Sequence, residues 1–264
     1  MRLVDPAAAK RVAVLSDIHG NAWALAAVLA DVDRRGADLV YDLGDTLYGP
    51  LDPAWTFRML IDRDVIGVLG NEDRLLLDPP ADAATRPALR HALAALDDVA
   101  LEWLGARPAS RREGELLLCH GSPGADTEYL LERVTATGIA LRPQDEIASL
   151  LGESTAPVVL CGHSHVPRVV SLDDGRVVVN AGSVGLPAYD DDYPPHAMEV
   201  GSPHARYALL ERGASGWSVL HVAVPYECEA AAQTAERVGR PDWARWLRTG
   251  RAAWPAAAGG GDHG

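Results

Sequence analysis

"RVAVLSDIHGNAWALAAVLADVDRRG", Arg11 to Gly36, carries two periodicities on either side of a polar hinge. Val12 to Leu15 is a short apolar run of the kind that forms a buried strand. Beyond the hinge, Trp23, Leu25, Val28, Leu29 and Val32 recur at helical spacing. Moving outward, the same alternation repeats. "ADLVYDLGD" reads as a strand, "PAWTFRMLIDRD" as a helix and "VIGVLGNED" as a strand again, which indicates βαβ units and a largely parallel sheet.

Residues from about Arg86 to Leu104 look helical, before the strand "GELLLCHG". A helical stretch is expected through "TEYLLERVTA" and "PQDEIASLLG", leading into the strand "APVVLCGHSH". After His165 the texture changes. "RVVSL-DDG-RVVVN" and "RYALLE-RGASG-WSVLHVAV" read as hairpins, so the fold is α/β with an antiparallel portion in its C-terminal half. From Pro225 a helical pattern runs to about Val238, where Gly239 can end it, and "PDWARWLRTG" makes a second short helix. The expected division is a main domain over residues 1–225 and a helical extension over 226–264, whose tail "AAWPAAAGGGDHG" is expected to be disordered.

The composition bounds the function. The chain has 264 residues, 48% hydrophobic and 23% charged, with a net charge of −13. That charge repels polyanions at long range and argues against a protein that coats nucleic acid through phosphate contacts. It leaves room for one phosphate at a local positive centre. Cys119, Cys161 and Cys228 form no CxxC pair, and no apolar run is long enough for a signal peptide or membrane span, so a reduced, cytoplasmic protein is expected.

The chemistry sits at the strand ends. "VAVLS" ends in Asp17-Ile18-His19, "LVYDLG" in Asp45, "VIGVLG" in Asn71, "ELLLC" in His120 and "PVVLCG" in His163-Ser164-His165. In open α/β sheets the carboxyl ends of strands are where ligands bind. In extended chain, residues i and i+2 point the same way, so Asp17 with His19, and His163 with His165, are expected to converge. Seven carboxylate, amide and imidazole side chains are too many for one tetrahedral ion and suit two ions sharing a bridging carboxylate. Nitrogen and oxygen donors without thiolate suit Mn²⁺, Fe, Zn²⁺ or Ni²⁺ better than Ca²⁺.

"SDIHGN", "LGD", "LGNED", "CHG" and "CGHSH", in this order, resemble the calcineurin-like metallophosphoesterase family, whose pattern is D-x-H, G-D, G-N-H-D, H and G-H-x-H. "YGPLDP" and "NAGSVGLP" are similar to its small bacterial and archaeal phosphodiesterase-type members, and the resemblance covers about Val12 to Glu211. It implies an αββα architecture, a two-sheet mixed β-sandwich flanked by helices. It also implies two divalent metal ions, manganese favoured, with Fe, Ni, Zn or Mg as alternatives. Asp17, His19 and His165 would bind one ion, and Asn71, His120 and His163 the other, with Asp45 bridging. Asn21 and Tyr48 are candidate substrate contacts, and Asn71, Glu72 and Asp73 are candidate catalytic residues. The implied activity is hydrolysis of a small phosphoester, a diester before a monoester, by hydroxide held between the ions. Phosphatase action on a phosphoprotein or a dinucleoside polyphosphate is the enzymatic alternative. A non-enzymatic scaffold on this fold is the other, and a homo-oligomer is left open.

Two departures stand out. Glu72 occupies the place of the histidine usually assigned as the proton donor to the leaving oxygen, and dications beside it would keep it ionised. After "NAGSVG", where relatives often carry an arginine, the chain reads Leu186-Pro187-Ala188-Tyr189 and then inserts "DDDYPPHAMEVGSPH". The insertion is expected to be a solvated loop; the alternatives are a pocket wall, or a cation site from Asp190 to Asp192 with His196 and His204. Cys119 and Cys161 are expected as buried hydrophobes, and His91, His221 and His263 as surface or structural residues.

Overall fold

The computed structural model describes residues 9–63 and 65–252, so His263 and most of the small-residue tail lie outside them. The first half contains β1 (Arg11–Leu15), α1 (Ala22–Arg35), β2 (Leu39–Asp42), α2 (Pro53–Ile61), β3 (Ile66–Gly67) and α3 (Asn71–Leu77). α4 (Pro87–Ala95), α5 (Asp98–Gly105), β4 (Ser110–Glu113) and β5 (Leu116–Cys119) follow. Next come β6 (Glu132–Thr135), β7 (Gly138–Leu141), α6 (Gln144–Leu150), β8 (Val158–Cys161), β9 (Arg168–Ser171) and β10 (Val177–Asn180). The chain closes with β11 (Ala188–Asp192), β12 (Pro195–Glu199), β13 (Ala205–Gly213), β14 (Gly216–Val224), α7 (Cys228–Arg237) and α8 (Pro241–Thr249).

Two five-stranded mixed sheets form the sandwich, ordered β14-β13-β1-β2-β3 and β4-β5-β8-β10-β9. Alternation along the strands builds three layers at once. Val12 and Val14 of β1, with Val158 and Leu160 of β8, enter the core between the sheets. Ala13 and Leu15 face the opposite way, onto α1, while Val159 and Cys161 face α6. Helix α1 buries Leu25, Val28, Leu29 and Val32, as its spacing predicts. Asn21 caps its start by accepting the Ala24 N–H at 3.1 Å, and Gly36 at φ 65° closes its end.

β1, β2 and β3 run parallel, and so do β5, β8 and β10, so the carboxyl ends that the motifs occupy gather at one edge of each sheet. A buried ion pair stiffens that edge. Arg107 Nη1 donates to Asp42 Oδ2 at 2.7 Å and to Thr46 Oγ1 at 2.8 Å, tying the end of β2 to the loop after Asp45.

Three local expectations are corrected. "TEYLLERVTA" is not helical: Glu132 to Thr135 pairs with Gly138 to Leu141 as a hairpin. Val134, Thr135 and Ile139 are β-branched and stiff in χ1, and Gly138 at φ 141° follows the turn. The helical stretch after Arg86 is two helices, because Asp97 accepts the Ala100 N–H and starts α5 afresh. The acidic insertion is no solvated loop but the two-stranded hairpin β11–β12.

Helices α7 and α8 pack on each other, α7 also against α1 and α8 against β11. Trp243, Trp246 and Leu247 share an apolar cluster with Tyr48, Leu51 and Leu186. No helix among the described residues is long and apolar enough to cross a membrane.

Candidate metal centre

Each strand-end residue lies just beyond its strand, in a conformation the sequence did not announce. Among the described residues, the non-glycine positions with positive φ are Asp17 (53°), His19 (52°), Asp45 (51°), His163 (63°) and His165 (60°). All five are expected ligands. Left-handed backbone at such residues costs about 1–3 kcal/mol each and persists where the surroundings over-determine it. The convergence of Asp17 with His19, and of His163 with His165, therefore comes from left-handed turns rather than from extended chain, which corrects the reason given for it above. Backbone bonds hold these turns: Asp17 N–H donates to Gly44 O and His19 N–H to Asp45 O, both at 2.9 Å. Glycine is required beside them. A Cβ on Gly70 would lie 2.1 Å from Asp45 Oδ1, and one on Gly162 would lie 1.9 Å from Ser16 Oγ.

Donor atoms gather in two separate sets, and a third group, His19, Asp45 and Glu72, takes a residue from each. In the first, Asp17 Oδ1 and His19 Nε2 each stand 3.2 Å from His165 Nε2. In the second, Asp45 Oδ2 stands 3.3 Å from His120 Nε2, and His163 joins them with all three ligand atoms within 4.8 Å of one another. Asp17 Oδ1 lies 3.8 Å from His120 Nε2, linking the sets. His120 Nδ1 donates to Leu43 O at 2.8 Å and His165 Nδ1 to Leu186 O at 2.7 Å. A carbonyl can only accept, so Nδ1 carries a proton, and in the neutral ring each Nε2 offers its lone pair inward.

The test of fit for a metal is what these atoms lack. Asp17 Oδ1, Asn71 Oδ1 and His120 Nε2 are buried without a hydrogen-bond partner. Buried polar atoms are ordinarily paired, and with Asp17 Oδ1 and His120 Nε2 3.8 Å apart and Asn71 lining the cavity beside them, these unpaired atoms of ligand type are what a cation would satisfy. The cysteines take no part: burial pushes the Cys119 thiol up to about 12, away from the thiolate a metal needs.

Electrostatics couple the cluster. Burial would raise the carboxyls of Asp17 and Asp45, but the charges of His165 and His120 respectively, with their neighbours, outweigh it and hold both well below the usual range. Burial would lower His19, yet the Glu72 hydrogen bond and charge, with Asp45 and Asp17, raise it to about 9. His120 is raised to about 10 against burial, chiefly by Asp45, whereas burial and the His120 charge lower His163 to about 4. At neutral pH a divalent ion must therefore displace protons from His19 and His120. Metal uptake is expected to release protons, and affinity to rise with pH toward about 10. Calorimetry in two buffers of different ionisation enthalpy checks this; a buffer-independent heat would contradict it.

The sequence model of the Calcineurin-like phosphoesterase superfamily domain matches residues 11–200, which include every one of these donors. The chain belongs to that superfamily. It is a phosphoesterase hydrolase of a divalent-metal-dependent superfamily. A metallophosphoesterase from Sphaerobacter thermophilus has a similar fold, with a TM-score of 0.72 and 24% identity over 92% of this chain and 100% of its own. The "Uncharacterized protein MJ0912" of Methanocaldococcus jannaschii is 24% identical over 247 residues, 88% of this chain and 94% of its own.

In this phosphoesterase the remaining candidates separate. Glu72 lines a cavity of about 200 Å³ beside the donors, with Oε2 3.2 Å from His19 Nδ1. Burial pushes its carboxyl upward, against the hydrogen bond and charge of His19. Asp73 does not line the cavity. Fully buried, it accepts N–H bonds from Thr46 (2.9 Å), Leu47 (3.2 Å) and Gly70 (3.3 Å), and so locks the Asp45 loop to the start of α3. Asn21 does not reach the cavity either. Its side chain caps α1 and donates to Gly185 O at 2.8 Å, a scaffolding position. Tyr48 does line the cavity.

Several residues around the site had no sequence signal as partners. Tyr129 stacks on His163 with ring centroids 4.6 Å apart, and its hydroxyl meets Tyr189 Oη (2.7 Å) and His196 Nε2 (2.9 Å). His196 is thus buried in this bracket, not assembled with Asp190 to Asp192 into another cation site. Tyr189, Asp190 and Asp191 place the β11–β12 hairpin against the cavity as a wall. His91 and His221 are structural, each bonded to a backbone carbonyl at 2.8 Å.

Proposed function

We propose that this chain is a metal-dependent phosphodiesterase that acts through two divalent ions. The observation that carries the reading is the pair of donor sets in one strained, buried neighbourhood, with Asp17 Oδ1 and His120 Nε2 of those sets and Asn71 Oδ1 of the adjoining cavity left unpaired. Asp17, His19 and His165 would hold one ion, Asn71, His120 and His163 the other, and Asp45 would lie between. The oxygen and nitrogen donor set favours Mn²⁺, with Fe, Ni, Zn and Mg as competitors. When bound, the ions supply positive charge at the phosphoryl oxygens and a water acidified enough to attack at neutral pH.

The protein's own part is to orient and exclude. The Nδ1 bonds of His120 and His165 to backbone carbonyls fix the rings, and the Tyr129 stack fixes His163. Proton donation is weak, because Glu72 is paired with His19 and Asp73 is spent on backbone N–H groups. Hydrolysis therefore depends on leaving groups that depart without a strong acid. Glu72, Asp190 and Asp191 line the cavity with carboxylates, which disfavours the dianion of a monoester more than the monoanion of a diester.

Turnover of bis-p-nitrophenyl phosphate and p-nitrophenyl phosphate by the Mn²⁺-loaded protein tests this, since both release the same phenol. The diester is expected to be preferred in kcat/KM by at least about tenfold. Preference for the monoester would overturn the diesterase reading, and no hydrolysis of either would overturn the enzymatic one.

A further inference from the structure

Helices α7 and α8 lie beyond the residues 11–200 that match the superfamily, yet Arg240, Trp243 and Trp246 line the cavity that holds the metal donors. Trp243 stands edge-on to His19, with ring centroids 5.6 Å apart and an angle of 87°. This wall is anchored rather than hinged. Trp243 is 3% exposed and Trp246 4%, and Arg248 of α8 pairs with Glu229 and Glu236 of α7.

Arg240 is the single arginine or lysine among the residues that line this cavity. Its Nε and Nη2 donate to Asp242 at 2.9 and 2.5 Å, and its guanidinium lies 5.4 Å from the Trp243 ring. Among the described residues, Nη1 has no hydrogen-bond partner.

Charge and size then limit the ligand. Glu72, Asp190 and Asp191 also face this space, so the further phosphates of a polyphosphate, beyond the one at the ions, would meet three carboxylates and a single guanidinium. A diester brings no further phosphate. The aromatic rings of Tyr48 and Trp243 suit a planar arm better than an alkyl one. The cavity, about 200 Å³ and open to solvent, seats one such arm beside the phosphoryl group.

We propose that the C-terminal helices form a substrate subsite, in which Arg240 Nη1 meets a phosphoryl oxygen and Tyr48 with Trp243 receives an aryl or nucleoside arm of a monoanionic diester. This deepens the phosphodiesterase reading above and rests on it. The subsite selects substrate and takes no part in holding the ions.

The test uses the full-length, Mn²⁺-loaded protein with bis-p-nitrophenyl phosphate as substrate, and diphenyl phosphate, diethyl phosphate and diadenosine tetraphosphate as competitive inhibitors. Metal content is measured in every variant. Diphenyl phosphate is expected to inhibit at least about tenfold more tightly than diethyl phosphate, and more tightly than the tetraphosphate. Arg240→Ala is expected to raise KM and both diester inhibition constants about tenfold with kcat within twofold, and Arg240→Lys to restore part of the loss. Trp243→Leu is expected to remove the aryl preference. An active enzyme with two ions whose KM ignores Arg240→Ala, or which binds the tetraphosphate best, overturns the subsite alone. A fully loaded enzyme that hydrolyses no phosphodiester overturns the reading beneath it as well.

Discussion

Asp45→Asn is expected to lower phosphodiester turnover by at least about 10²–10³-fold and to reduce bound metal from two ions per chain to one or none. In the proposed reading Asp45 lies between the two ions. Its Oδ2 stands 3.3 Å from His120 Nε2, and it also groups with His19 and Glu72 as a candidate ligand set. Its Oδ1 accepts the Glu72 N–H at 2.8 Å, so it fixes the first turn of α3, where Asn71 sits. Asparagine keeps the volume and can keep that acceptor, so the fold should survive while the negative charge between the ions is lost. Metal analysis by mass spectrometry and a thermal melt on the same sample separate the two effects. A folded Asp45→Asn protein that still binds two ions and turns over at wild-type rate would remove Asp45 from the bridge.

Glu72→His should act in two directions at once. Histidine supplies the proton donor usual at this position, and positioned general acids contribute about 10²–10⁴-fold. The gain should appear on diesters with alkyl leaving groups and reach about 10²-fold, the lower end, because Asp73, which would orient the new ring, is committed to the Thr46, Leu47 and Gly70 N–H groups. Against this, the substitution removes the carboxylate 3.2 Å from His19 Nδ1. Loss of such a partner typically weakens metal affinity by about 10–100-fold, so the gain should be visible only at saturating metal. The dependence of kcat on leaving-group acidity is the measurement. It should flatten in Glu72→His at high Mn²⁺; an unchanged slope would take position 72 out of the chemistry.

Much of this site is written locally in the chain. A short apolar run followed at once by Asp, Asn or His is visible at each of the five strand ends, three of them through a glycine (Gly44, Gly70 and Gly162), because a buried strand and its ligand lie within a few residues of each other. What was not legible is nonlocal. Tyr129 reaches His163, and Trp243 reaches His19, across long stretches of chain, and neither leaves a periodic trace. "TEYLLERVTA" was misread because Tyr129, Leu130, Leu131 and Val134 mimic helical spacing, while pairing with Gly138 to Leu141 overrides it. The left-handed turns at Asp17, His19, Asp45, His163 and His165 were hidden for another reason. Nothing in residue type distinguishes a histidine that accepts that strain from one that does not.

The most direct test is anomalous X-ray scattering from crystals of the Mn²⁺-reconstituted protein. Two peaks about 3.5–4 Å apart are expected, one ringed by Asp17, His19 and His165, the other by Asn71, His120 and His163, with Asp45 touching both. No peak at these residues, in protein shown to be folded and exposed to excess Mn²⁺, would contradict the account.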